Sequence, residues 1–260
     1  MNLLGTVQTE FLKLKRTPIT WVLGVVYCLA PLMLGLMMEV LKNPALARRL
    51  GLITAKAELT IGAVDWPTYL TFTSFFFAGG VFILAIAAAY VFGREYAEGT
   101  AKNLLCLPVH RATIVGAKLV VSTVWFAAIA LVVYGEALLV GYAIGLPGFS
   151  NQLLFATTRV IAKTVLFVVL ASTVNAWITV VSRGYLAPVG LSVLLFLVGD
   201  LFSHTGWGQW VPWSIILMNA QTAQAGVPAL GNGSTIVMCA VFLAGFYATY
   251  LTLDRVDNTQ

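Results

Sequence analysis

Long apolar runs broken by short polar connections set the rhythm of this chain. They fall at roughly 19–38, 68–92, 113–142, 156–182, 186–203 and 234–253. Each is close to or beyond the ~20 residues that a helix needs to cross the hydrocarbon of a bilayer. The pattern predicts an all-α integral membrane protein, a single domain over 1–260 with six transmembrane helices. Glu136, Arg159 and Lys163 interrupt the third and fourth runs and leave their outer ends open.

The polar stretches differ in kind. Leu4, Val7, Phe11 and Leu14 recur at helical spacing, with Gln8, Glu10, Lys13, Lys15 and Arg16 off that stripe. This predicts an amphipathic interfacial helix within 1–17, its basic end favoured by anionic lipid. Thr17-Pro18 then turns the chain into the bilayer. The run from Ile19 to Met38 is long for a signal-peptide core and is expected to remain as a span. Between the first two runs, Pro44 can open a surface helix whose apolar edge is Leu46, Leu50 and Ile53. Residues 204–233 contain His204-Thr205-Gly206-Trp207-Gly208-Gln209-Trp210-Val211-Pro212-Trp213 and then the apolar Ser214 to Met218. That segment is too short and interrupted to cross twice, and reads as a re-entrant outer segment capped by a tryptophan belt.

Charge orients the bundle. With an even number of spans, Lys13, Lys15, Arg16, Arg94, Lys102, Arg111, Lys118, Arg183 and Arg255 share one side. Lys42, Arg48, Arg49 and Lys56 lie on the other. The majority side is expected to be cytoplasmic, with both termini there. Composition agrees with a membrane protein: 60% of residues are hydrophobic and 10% charged, and the mean hydropathy is +0.91. The net charge of +5 is spread over the flanks of the spans, which argues against a nucleic-acid partner. Cys28, Cys106 and Cys239 lie too far apart for a disulfide framework or a metal site.

Charge gathers in the connection from Arg94 to Arg111. It reads as a loop holding a short helix, with Thr100 as N-cap, Pro108 as stop, and Glu98 and Lys102 in i,i+4 register. A solvated positive-inside loop would carry mainly Lys and Arg. Glu95 and Glu98 beside Leu104, Leu105 and Leu107 fit a docking surface better, the leucines giving area and the charges register. No G-x-x-x-x-G-K-[ST] sequence occurs, so any ATP that drives this protein is bound through that motif by a separate chain. Six spans also enclose little alone, and a central pathway calls for a second copy or a sister subunit.

Other polar groups have two readings each. Glu136 and Arg159 flank Pro147 at similar depth and could pair, with Lys163 one turn below, or all three could snorkel at the interface. Ser172, Asn175, Thr179 and Ser182 share one side of the fourth span and either line a pathway or bond helix to helix. Thr71 and Ser74 with Phe72, Phe75, Phe76 and Phe77 offer an aromatic, weakly polar surface for apolar cargo, or simply pack. Asp200 and His204, one turn apart, are the sole candidate for an intramembrane enzyme or a cation site; no metal-ligand cluster accompanies them. An anchoring or regulatory membrane protein, stable without any ATPase, is the third class.

Three stretches together resemble a known family, the type-2 (ABC-2) permeases of ATP-binding-cassette transporters. They are Glu10-Phe11-Leu12-Lys13-Leu14-Lys15-Arg16-Thr17; the connection holding Arg94, Glu95, Tyr96, Glu98, Gly99, Thr100, Asn103, Leu104, Leu105, Leu107, Pro108 and Arg111; and Val211-Pro212-Trp213-Ser214. The resemblance implies that 93–112 holds a coupling helix seated in a cleft of a cytosolic ATPase, and that 204–233 forms an outer lid. It further implies two ATPase copies holding ATP and Mg, and a second permease copy, identical or a sister. The implied setting is a bacterial plasma membrane. The implied activity is export of a hydrophobic or amphipathic substrate such as a peptide antibiotic or drug, with sodium export as the alternative and no catalytic residue in this chain.

Overall fold

A computed structural model describes residues 3–43, 63–100, 110–224 and 226–256. Helix α1 (Leu3–Lys15) leads into α2 (Pro18–Lys42), with Pro18 at the first helical position, where a missing N–H costs nothing. The second apolar run forms two helices, α3 (Trp66–Ala78) and α4 (Gly80–Ala97), separated at Gly79. Then come α5 (Arg111–Ile144), α6 (Asn151–Ser182) and α7 (Leu186–Ser203). A 3-10 turn at Gly208–Trp210 precedes α8 (Pro212–Gln221), and α9 (Asn232–Val256) closes the described chain. Counting α3 and α4 as one, six helices among the described residues are long and apolar enough to cross a membrane, at the positions the sequence predicts.

Local chemistry sets the ends. Asp65 and Ser150 accept from the backbone N–H of Thr68 and Leu153, capping α3 and α6. Lys42 donates to the carbonyls of Ile144 and Gly145, fastening the end of α2 to the end of α5. Trp66 N–H donates to Pro147 O at 3.0 Å, so the start of α3 meets the α5–α6 turn at that same end of the bundle. The outer helix predicted around Pro44, Leu46, Leu50 and Ile53 lies outside the described residues.

Helix α6 is the axis of the bundle and packs on α3, α4, α7, α8 and α9. The main core joins Leu23 and Tyr27 of α2, Phe77 of α3, Leu84 of α4, Phe126 of α5, Phe167 of α6, Ile215 and Ile216 of α8, and Met238 of α9. A second cluster sits at the α1 end, where Leu14, Val91, Phe92, Val115, Leu119, Val180 and Leu253 meet. In contrast, α2, α7 and α9 leave long apolar faces uncovered, among them Val22, Val25 and Leu29 of α2 and Leu194 and Leu197 of α7. Such faces suit lipid or further protein.

The rotation of α1 differs from the predicted stripe. Thr6, Glu10 and Leu14 are the buried positions, spaced four apart and turned toward α5, whereas Leu4 is 75% exposed and Phe11 46%. Glu10 prevails over the apolar side chains because it finds a cation inside. Leu4 and Phe11 face outward instead, as they can where the surroundings are apolar.

Candidate functional site

Two carboxylates and two ammonium groups meet where α1, α4 and α5 converge. Lys118, two turns into α5, is the central member, with only 3% of its side chain exposed. Its Nζ donates to Val91 O at 2.7 Å, to Glu95 Oε1 at 2.8 Å and to Glu10 Oε2 at 3.4 Å. Three acceptors match the three N–H bonds of an ammonium. The Phe92 ring lies 5.7 Å away on one side. Lys13 completes the square, 2.6 Å from Glu10 Oε1 and 3.4 Å from Glu95 Oε1.

The four charges sum to zero, the condition under which such groups can be buried. Burial disfavours the charge on Lys13, but hydrogen bonds and attraction to Glu10 and Glu95 outweigh it and hold its ammonium above the ordinary lysine range. Because the folded value is raised, the Lys13 contribution is complete below the ordinary value of 10.5 and fades only as the pH climbs past the folded one. A cavity of about 390 Å³ adjoins the cluster, with Tyr90, Arg94, Glu98 and Thr100 on its walls.

Helix α4 stops just beyond Glu95 in a Schellman turn. Gly99 takes φ +67, and the N–H groups of Gly99 and Thr100 donate to Tyr96 O and Glu95 O. Thr100 therefore closes α4; the short helix expected between it and Pro108 lies outside the described residues. Arg94 donates through Nε to Glu98 Oε1 at 2.7 Å and lies over the Tyr90 ring, which in turn stacks on Tyr185. Glu98 keeps a 48% exposed side chain, and Tyr96 is half-buried against the α1-end cluster. Glu95 differs from its expected role as a docking contact. Its carboxylate points inward because Lys118, in an apolar stretch of α5, needs a counter-charge. Asn103, Leu104, Leu105 and Leu107, the remaining members of the predicted surface, lie outside the described residues.

The other predicted residues are dispersed. Ser172, Asn175 and Thr179 are buried within the single chain; Asn175 Oδ1 accepts from Ser192 Oγ of α7 at 2.8 Å, and Ser172 and Thr179 donate to their own helix. Phe76 packs against Tyr27 in a tilted ring pair at 4.8 Å and, with Phe72, borders an apolar cavity of about 390 Å³ between α2 and α3. Within the chain, no ion pair joins Glu136 to Arg159. Glu136 lies against the Cys28 thiol of α2, Lys163 sits over the Phe167 ring at 5.4 Å, and Arg159 faces outward. The helical hairpin places Glu136 toward α2, on a different side from Arg159. Asp200 and His204 are both exposed, and Asp200 engages Ser203 only through its backbone carbonyl. Among the described residues no group of three or more His, Cys, Asp or Glu is placed to hold a metal ion.

Comparison with known proteins bears on the same region. A family model described as "ABC-2 family transporter protein" matches residues 6–199, three quarters of the chain and all four members of the charge cluster. The bacitracin transport permease protein BCRB of Bacillus licheniformis is 26% identical over 181 residues, which cover 68% of this chain and 85% of that protein.

Proposed function

The chain belongs to the ABC-2 family of transporter proteins, and from that premise we propose that it is the membrane half of an exporter whose stroke enters through the α1 end of the bundle. It is a multi-pass permease component. In this reading the α1 end faces the cytoplasm of a bacterial cell. The connection after Thr100 seats on a cytosolic ATPase, two copies of which serve two permease chains. Segment 204–233, with α8 at its centre, is the re-entrant outer lid. Asn219 Nδ2 donates to Val160 O at 3.0 Å and Thr164 Oγ1 at 2.9 Å, three turns into α6, which supports a dipping path.

The observation that carries the reading is the buried contact of Lys118 with both Glu10 and Glu95. It makes the interfacial helix, the stem of the coupling connection and the third span into one body. A push on the connection then moves the span rather than bending the turn. The apolar, aromatic flanks of α2 and α3, and the likeness to a bacitracin transport permease, support a hydrophobic or amphipathic peptide as the substrate.

The test is reconstitution with a cytosolic ATPase that co-purifies with the chain. Peptide antibiotics should stimulate ATP hydrolysis and accumulate in inverted vesicles. Stimulation by sodium without any peptide response would replace the cargo. Reversing the exposed Glu98 to Lys also breaks its pair with Arg94, and is expected to lower coupled transport several-fold while the permease inserts normally. Full transport with normal complex formation would remove Glu98 from the coupling surface.

A further inference from the structure

Beside the charge cluster lies a second cavity of about 420 Å³ with a different balance of charge. Thr9, Leu12, Lys13, Arg16, Thr17, Pro18, Tyr90 and Arg94 line it, which makes three cations and no carboxylate. Arg16 is exposed; its backbone N–H donates to Leu12 O at 3.2 Å, but its guanidinium makes no hydrogen bond or ion pair among the described residues. The other two cations keep donors in reserve. Arg94 uses Nε on Glu98 and retains four guanidinium N–H bonds, and Lys13 has one ammonium hydrogen beyond those directed to Glu10 and Glu95.

The position of the cavity matters as much as its charge. It opens where α1 ends and Thr17-Pro18 turns the chain into its first span, the level at which a bilayer presents phosphate. Trp21, one turn into α2, is 67% exposed and donates through Nε1 to Lys15 O at 3.3 Å. A tryptophan with an apolar body outside and its N–H satisfied inward marks the interfacial zone. Leu12, 54% exposed, gives the rim an apolar lip.

We propose that this cavity is a headgroup site for an anionic phospholipid, the phosphate bridging Arg16 and the free donors of Arg94 and Lys13 while the acyl chains run past Leu12 and Trp21. A planar guanidinium with no protein partner is the group best shaped to take two phosphate oxygens. The site stands whether or not the bundle is an exporter. Its influence on coupling rests on that reading, because Lys13 and Arg94 are shared with the neighbouring cluster and a phosphate would compete with Glu10, Glu95 and Glu98 for them.

Native mass spectrometry of the detergent-purified full chain tests it, with phosphatidylglycerol and phosphatidylcholine competing for retention. The parent should favour phosphatidylglycerol. Arg16→Gln should cut that preference about five-fold, the worth of one surface cation near an anionic lipid. Thr9→Glu, which sets a carboxylate on the same wall, should do likewise. Lys15→Gln, equally basic but outside the cavity, should leave the preference intact. An equal fall in Lys15→Gln, or no fall in Arg16→Gln and Thr9→Glu, would reduce the effect to diffuse attraction and overturn the site. Displacement by free glycerol phosphate as effective as by the lipid itself would overturn the lipid as ligand.

Discussion

Lys118→Met should lower the melting temperature sharply and abolish ATP-driven transport. Lys118 is nearly inaccessible, and its ammonium is the shared partner of Glu10 and Glu95. Methionine fills a similar volume but leaves two carboxylates close together, with only the half-exposed Lys13 between them. Removing one partner from a buried ionic group costs about 3–5 kcal/mol. That is far above the ~1 kcal/mol or less of an exposed pair such as Arg94 and Glu98. The double substitution Lys118→Met with Glu95→Leu removes Lys118 together with its nearest carboxylate and should recover most of the stability, since apolar replacement of a buried pair is often neutral. Thermal melting of the purified protein, alongside transport in vesicles, separates the two roles. Recovery of melting without transport would assign the charges to the register between α1 and the coupling connection. An unchanged midpoint in Lys118→Met alone would discard the cluster as a structural joint.

The second large effect is expected at Gly199→Ala. A Cβ there would stand 2.7 Å from Trp213 Cβ, 2.8 Å from the Trp213 carbonyl carbon and 2.9 Å from Ser214 N. Two of these are backbone atoms in the first turn of α8, so no rotamer change relieves the overlap. The 212–221 helix must back away from α7, at about 1–3 kcal/mol for overpacking. Gly190, two and a half turns earlier on α7, has nothing within 4 Å of the same built atom. Gly190→Ala should therefore leave melting unchanged or raise it slightly, through better helix propensity. Equal midpoints for the two variants would show that α8 does not depend on close approach to α7.

The spans were legible because crossing a bilayer demands only length and apolarity, properties that survive ignorance of every contact. Rotation about the helix axis was not. The stripe of Leu4, Val7, Phe11 and Leu14 predicts an apolar underside for α1, yet Glu10 is the side chain turned inward. Its partner Lys118 lies 108 positions away, and Glu95 lies 23 from Lys118, so no local spacing announces the cluster. A signal did exist. Lys118 falls inside the apolar run 113–142, where a cation needs a counter-charge, and Glu10 and Glu95 are carboxylates at the same end. Counting Lys118 as one more positive-inside residue hid that need. The part Thr100 plays in ending α4 was hidden for a related reason, since it depends on Gly99 adopting the left-handed conformation. Asn175 shows the reverse case, where a polar group on a span could be placed on an inner face, but its acceptor role toward Ser192 needed the neighbouring helix.

The interruption at Gly79 gives the second span the character of a jointed rod. Its far piece, α3, is clamped by Trp66 to the α5–α6 turn and by the Tyr69 hydroxyl to Ala137 O. Its near piece, α4, is an 18-residue arm, about 27 Å long at the usual helical rise, whose tip carries Glu95. A sideways load at the tip acts on the joint with the full leverage of that arm, and Gly79 and Gly80 have no side chains of their own to resist it. Motion begun at the membrane surface would then be greatest there and smallest beyond mid-bilayer, so the two leaflets would feel the stroke unequally.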